Sequence, residues 1–110
     1  MPAIQVELDS MAQAWLAAHR PRQPLVLAYD VRRCCGGGKI CRATVREQSA
    51  TDRLEDHAMG VMPDGNAILI HRSAARRLPA RFALTVRGLG PLKHLDLALD
   101  GEQWGELLYT

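Results

Sequence analysis

Residues 25–46, LVLAYDVRRCCGGGKICRATVR, decide the fold of this chain. The first seven residues form a short apolar run that is partly β-branched, which predicts a largely buried strand over residues 25–31. The three consecutive glycines that follow exclude a regular element, because glycine loses the most backbone entropy on ordering. Beyond them Cys41, Ala43 and Val45 alternate with polar residues, which is the period of a half-buried strand. The stretch therefore predicts a β-hairpin with a glycine-rich loop.

The rest of the chain supplies a helix on the N-terminal side and several short elements after the hairpin. The apolar spacing of residues 11–19 is that of one helical face, and Ser10 followed by Gln13 fits a capping box. Residues 48–57 are polar and predict a loop. The remaining predicted elements are a turn at 62–66, a strand at 67–70, a short helix at 74–78 capped by Ser73, strands at 81–87 and 94–100, and an extended piece at 104–108. This order predicts a mostly β, α+β fold with an N-terminal helix and one further short helix.

Size and composition indicate a single small domain over residues 1–110. The chain is 47% hydrophobic and 24% charged, as in ordinary folded proteins. The net charge of +2 and the 5% aromatic content give no basis for predicting a nucleic acid or a membrane surface as a partner. The first residues lack a signal-peptide pattern, and no apolar run approaches the ~18 residues of a membrane span, so the expected location is the cytoplasm.

Three cysteines, Cys34, Cys35 and Cys41, lie within eight residues of one another. An odd number excludes a complete set of intramolecular disulfides, and clustered cysteines in a reducing compartment bind metal or carry out redox chemistry. The thiolate is the form that acts as ligand and nucleophile, and neighbouring cations favour it. Cys41 shares a predicted strand face with apolar residues, so it can equally be a small buried core residue. The cations beside the thiols are Arg32, Arg33, Lys39 and Arg42.

The glycines of the loop bear on the same chemistry. Gly36, Gly37 and Gly38 let the backbone approach a bound ion or cluster closely, and their N–H groups can point at an anion. Three thiols are one ligand short of a four-coordinate zinc site, and the paired two-residue spacers of such sites are missing. A fourth ligand would have to come from a second subunit, from glutathione or from a histidine. The histidines that could supply this ligand are His57, His71 and His94.

The order of these elements resembles that of the HesB-like, or A-type iron–sulfur carrier, domains, and above all their small relatives with a Cys-Cys pair. The residues that carry the resemblance are Cys34-Cys35-Gly36 between two strands, then Gly60-Val61 and Ile68-Leu69-Ile70 before a short helix. In A-type carriers an early cysteine and a C-terminal Cys-Gly-Cys together hold iron or a [2Fe-2S] cluster, often between subunits. Residues 105–110 here read GELLYT, so the resemblance reaches only Cys34 or Cys35, and Cys41 has no counterpart in the carriers.

The leading prediction is a non-catalytic or weakly redox-active thiol protein that binds iron, an iron–sulfur cluster or another soft metal, zinc included, through Cys34 and Cys35, with Cys41 as the candidate third ligand. Two copies of the chain would supply enough sulfurs, so a homodimer is expected, together with iron–sulfur or thiol-exchange proteins as partners. The alternative is a thiol-redox enzyme or sensor in which Cys34 is oxidised and Cys35 or Cys41 resolves it. A third hypothesis is that the chain is a structural or partner-binding domain whose cysteines have no functional role.

Overall fold

A computed structural model describes residues 3–33 and 39–108, with the backbone alone described at 31–33 and 39–41. The predicted ligands Cys34 and Cys35 and the loop glycines Gly36, Gly37 and Gly38 lie outside the described residues. Short 3₁₀ turns cover Leu54–Asp56 and Gly90–Leu92. The helices and strands, in chain order, are β1 (Ile4–Leu8), α1 (Ser10–His19), β2 (Leu25–Arg33), β3 (Lys39–Glu47), β4 (His57–Val61), β5 (Ala67–His71), α2 (Arg72–Ala75), β6 (Arg81–Arg87), β7 (His94–Ala98) and α3 (Gly101–Leu108).

The described strands form one seven-stranded sheet in the order β3-β2-β5-β4-β1-β6-β7. The pairs β2–β3, β4–β5 and β6–β7 are antiparallel, whereas β2–β5, β1–β4 and β1–β6 are parallel. The outer strands β3 and β7 approach to within 8 Å between Cα atoms, although no ladder joins them. The sheet therefore curls into a nearly closed barrel with a seam between β3 and β7.

Strand β1 is an interior strand of this sheet, between β4 and β6. Its sequence alternates, and Val6 is buried with 1% of its surface exposed. Ile4 pairs with Gly60 and Val6 pairs with Phe82. The two partner strands, β4 and β6, are far from β1 in the sequence, so no local sequence pattern predicts this pairing.

The core fills the inside of the barrel with aliphatic side chains. A close approach at β4 shapes it, since a Cβ added at Gly60 would lie 2.8 Å from Ile68 Cγ2 and 2.9 Å from Ile70 Cδ1. Glycine is therefore required where β4 crosses the large side chains of β5. The largest fully buried side chains are Leu27, Ile68, Ile70, Leu84, Leu97, Leu107, Val6 and Val26.

The predicted α+β fold with an N-terminal helix and one further short helix is wrong, although its mostly β content is confirmed. The described residues form a mostly β, barrel-like sheet with three short helices, and the first element is strand β1 rather than a helix. The extended piece predicted at 104–108 belongs to α3. The physical reason is a reciprocal cap, in which Asp100 Oδ1 accepts the N–H of Gln103 at 2.8 Å and Gln103 Oε1 accepts the N–H of Asp100 at 3.1 Å.

The predicted caps of the first two helices are also wrong. At α1 the cap is Asp9, whose Oδ1 accepts the N–H of Ala12 at 2.8 Å, in place of the expected Ser10. At α2 the cap is His71, whose Nδ1 accepts the N–H of Ser73 at 3.2 Å. The observed cap lies one residue before the expected cap at α1 and two residues before it at α2, because each helix begins earlier than predicted.

Candidate functional site

Strands β2 and β3 form the predicted antiparallel pair around the cysteine motif. The register runs from Leu25 opposite Glu47 to Arg33 opposite Lys39. Pairing of Arg33 with Lys39 brings together the two ends of the segment that carries Cys34 and Cys35. The backbone of Cys41 lies opposite Val31 in the same ladder.

The outer half of this pair extends beyond its neighbour in the sheet. Strand β5 pairs with β2 only from Leu25 to Leu27. Residues 28–33 and 39–44 therefore continue as a two-stranded arm, which we call the thiol arm. The six residues of β2 in the arm span about 20 Å in an extended strand. The Arg33–Lys39 pair is thus well away from the level of β5.

Contacts at its base hold the thiol arm against the barrel. The buried hydroxyl of Tyr29 donates to the carbonyl oxygen of Leu107 in α3. The Arg77 guanidinium carbon lies 5.6 Å from the centroid of the Tyr29 ring, within range of a cation–π contact. Farther out, the paired residues Asp30 and Arg42 are both exposed.

The structure does not bring two of the predicted histidines to the cysteine motif. His57 and His71 pair with each other across β4 and β5, with ring centroids 5.7 Å apart in an edge-to-face contact. His71 directly follows Ile70, which is level with Leu27, so about 20 Å of extended strand separates it from the start of the motif. Each imidazole also has a local hydrogen bond to the backbone. His57 Nδ1 donates to the carbonyl oxygen of Arg53, and His71 Nδ1 accepts the N–H of Ser73.

His94 is more distant still. It is the first residue of β7, and the strand directions place the start of β7 at the end of the barrel opposite the thiol arm. Its Nδ1 lies 2.9 Å from the carbonyl oxygen of Leu92. Within residues 3–33 and 39–108, no group of three or more His, Cys, Asp or Glu side chains is arranged to hold a metal ion.

A charged pair supports β3 near the base of the thiol arm. The Arg46 guanidinium donates to both carboxylate oxygens of Asp52, at 2.7 and 2.8 Å. These bonds, followed by the backbone N–H of Ser49, hold the pKa of Asp52 well below its ordinary value. The same hydrogen bonds to Asp52 raise the pKa of Arg46. The loop after β3 is thereby tied to the strand.

Sequence reasoning missed two cavities on the connection between α1 and β2. They have volumes of about 820 and 310 Å³, and Arg20 and Arg22 border both. The lining comes from segments far apart in the chain, such as residues 20–25, 45–47 and Leu95. No motif in the sequence marks them.

The chain matches no protein-family model and no curated protein. The resemblance to the A-type iron–sulfur carriers therefore stays a prediction. Among the helices of the described residues, none is both long enough and apolar enough to cross a membrane.

Proposed function

We propose that the chain binds iron, an iron–sulfur cluster or another soft metal such as zinc through Cys34 and Cys35, with Cys41 as a third ligand. The observation that supports this is the register of the thiol arm. Because Arg33 pairs with Lys39, all three cysteines belong to the end of one two-stranded arm, and Cys41 is only two ladder positions from that pair.

The donor set fits a soft metal. Cysteine thiolates are the usual ligands of iron–sulfur clusters and bind zinc strongly. The cations that flank the thiols, among them the exposed Arg42, favour the thiolate form. When bound, a cluster would supply electron-transfer or cluster-delivery chemistry, and the chain's own part is to hold it.

A second copy of the chain is the proposed source of the missing ligand. The histidines His57, His71 and His94 hydrogen-bond locally, so they do not suit this role. His71 lies at the base of the arm, with its ring centroid 6.4 Å from that of Tyr29, and His94 begins β7 at the other end of the barrel. The arm extends past β5, and the described side chains of Asp30 and Arg42 on it are exposed, which supports a second copy of the arm as the partner. We therefore propose a metal-bridged homodimer in the cytoplasm that exchanges its metal or cluster with iron–sulfur or thiol-exchange proteins.

Anaerobic reconstitution with iron and sulfide tests the proposal, with visible spectra, metal analysis and the mass of the complex in solution as readouts. We expect the wild-type chain to gain a chromophore and bound iron and to become dimeric. The double variant Cys34→Ser/Cys35→Ser loses all three signals, and Cys41→Ser retains less iron. His94→Ala is the matched control and binds as the wild type does.

The same samples separate the alternatives. A fully reduced wild-type chain that takes up neither iron nor zinc contradicts the proposal. If such a chain loses free thiols on mild peroxide treatment and regains them with a dithiol reductant, the thiol-redox reading takes its place. If the thiols neither bind metal nor react, they are incidental to a structural domain.

A further inference from the structure

The connection between α1 and β2, residues 20–24, separates two cavities. The larger is a groove of about 820 Å³ that runs along α1 to the turn at residues 62–66. The smaller, of about 310 Å³, lies at the seam between β3 and β7, where Trp15 of α1 forms part of its wall. Arg20 and Arg22 line both, so the two guanidinium groups occupy a shared border. The smaller volume is at the lower end of the range of small-molecule pockets.

Within the described residues, the guanidinium groups of Arg20 and Arg22 form no ion pair. Glu47 lines the smaller cavity beside Arg22, but its Oε1 accepts the backbone N–H groups of Arg22 at 2.6 Å and Gln23 at 3.3 Å rather than a guanidinium. The Asp64 oxygens accept from the backbone and side-chain amides of Asn66 at 2.9 and 2.8 Å. The two guanidinium groups are therefore available to a carboxylate or phosphate, which such groups bind in a bidentate manner.

The backbone of Arg20 gives an independent reason to assign this position a role. Its φ of 45° and ψ of 67° are left-handed, and among the described residues it is the one non-glycine residue with a positive φ. Glycine adopts this conformation after a helix without a Cβ clash. The chain thus keeps a long cationic side chain where glycine would be less strained, a pattern found at binding sites.

The width of the seam decides what kind of ligand fits. An inserted peptide strand would need its two neighbours to be about 9.5 Å apart, twice the spacing of paired strands. Strands β3 and β7 approach to within 8 Å, which is too narrow for a strand between them. The smaller cavity has an apolar side formed by Trp15, Val45 and Leu95, which suits a compact apolar body instead. His19, whose ring stacks on Trp15 with centroids 3.9 Å apart, and the charged residues Arg46 and Glu47 complete the lining.

We propose that Arg20 and Arg22 form a binding site for a small organic anion, a carboxylate or phosphate ester whose compact apolar body enters the seam cavity. The guanidinium groups take the charged head, and the wall beside Trp15 takes the body. The site is separate from the thiol arm, and the proposal does not depend on metal binding.

Titration with benzoate, phenyl phosphate and benzamide tests the proposal, because the three probes share a ring and differ in the head group. Trp15 fluorescence is followed in a Trp104→Phe background. We expect a saturable change with benzoate or phenyl phosphate and none with benzamide, and the tighter of the two anions identifies the head group. Arg22→Ala and Arg20→Gly each weaken anion binding about tenfold. Arg53→Ala, which removes a mostly exposed arginine outside both cavities, leaves binding unchanged.

Three results would overturn the proposal: equal binding of benzamide, equal binding by the arginine variants and the wild type, or no saturable response in folded protein. If Trp104→Phe does not fold, amide and indole NMR signals of the wild-type chain report the same titration. The shifts must then include the Trp15 indole and the Arg22 amide, and shifts confined to other residues contradict the site.

Discussion

At the scale of single residues, Asp52 illustrates how one carboxylate can organise a loop. It accepts hydrogen bonds from the Arg46 guanidinium and from both the backbone N–H and the hydroxyl of Ser49, at 2.7–3.2 Å. Only 8% of its side chain is exposed, against 42% for Arg46. The pair is therefore better ordered than an ordinary surface ion pair and should contribute measurably to stability.

Asp52→Asn should lower the free energy of unfolding at pH 7 by about 1–2 kcal/mol, because Arg46 and Ser49 lose a charged acceptor. Since folding lowers the pKa of Asp52, its contribution is fully present above about pH 4 and is lost as the pH falls below that value. The difference between wild type and variant should therefore shrink by about 1 kcal/mol between pH 7 and pH 3. Urea unfolding at the two pH values measures both effects.

Glu55→Gln is the control for this experiment. Its ion pair with Arg53 is 3.7 Å long, and both side chains are about three-quarters exposed. We expect a change of at most a few tenths of a kcal/mol at either pH. A gap between wild type and Asp52→Asn that is the same at pH 3 and pH 7 would show that the carboxylate charge is not responsible.

At the scale of elements, the start of α1 depends on Asp9. Hydrogen bonds from Thr85 and from the Ala12 backbone lower the pKa of Asp9, so the carboxylate is charged at the helix N-terminus. Asp9→Ala should lower the free energy of unfolding by about 1 kcal/mol. Thermal unfolding followed by circular dichroism measures the loss.

Ser10→Ala is the matched variant, because the sequence pattern points to Ser10 as the cap. Ser10 is the first residue of α1 and is exposed, so its removal should change stability by no more than a few tenths of a kcal/mol. A larger loss for Ser10→Ala than for Asp9→Ala would reverse the assignment of the cap.

At the scale of the whole molecule, Tyr29 joins the base of the thiol arm to α3. Tyr29→Phe keeps the ring but leaves the Leu107 carbonyl without this donor, which should lower the free energy of unfolding by about 1–2 kcal/mol. The variant should also show faster amide hydrogen exchange than the wild type in α3 and in the arm, with a smaller increase in β4 and β6. An unchanged exchange pattern would mean that the arm does not depend on α3.

The parts of the fold that were predictable from the sequence are those encoded locally. The β2–β3 pair follows from an apolar run before the glycines and alternation after them, and the turn at 62–66 follows from its proline and glycine. Strand β1 had a usable signal in the alternation of Ile4, Val6 and Leu8, but its pairing was not predictable, because partners such as Phe82 are selected by tertiary packing. Helix α3 had a usable signal in Asp100 and Gln103, but its apolar end also fits a strand.

The candidate sites divide in the same way. The thiol motif is a contiguous stretch, so its place between two strands could be predicted, whereas the position of the histidines relative to it could not. The border formed by Arg20 and Arg22 takes its walls from α1, β3 and β7, and such a site exists only once the barrel has curled. The spacing of residues in the sequence therefore does not predict this site.

Because β1 lies between β4 and β6, its pairing can be completed only after both later strands have been synthesised. β1 leaves the ribosome before the other strands, yet its partners are β4 and β6, the second of which ends at Arg87. Until β6 is synthesised, Val6 lacks its neighbour Phe82, and one edge of β1 stays unpaired in the nascent chain. Such late, long-range pairing slows folding and favours association between unfinished chains. Expression yield should therefore respond to chaperones more strongly than the size of the protein suggests.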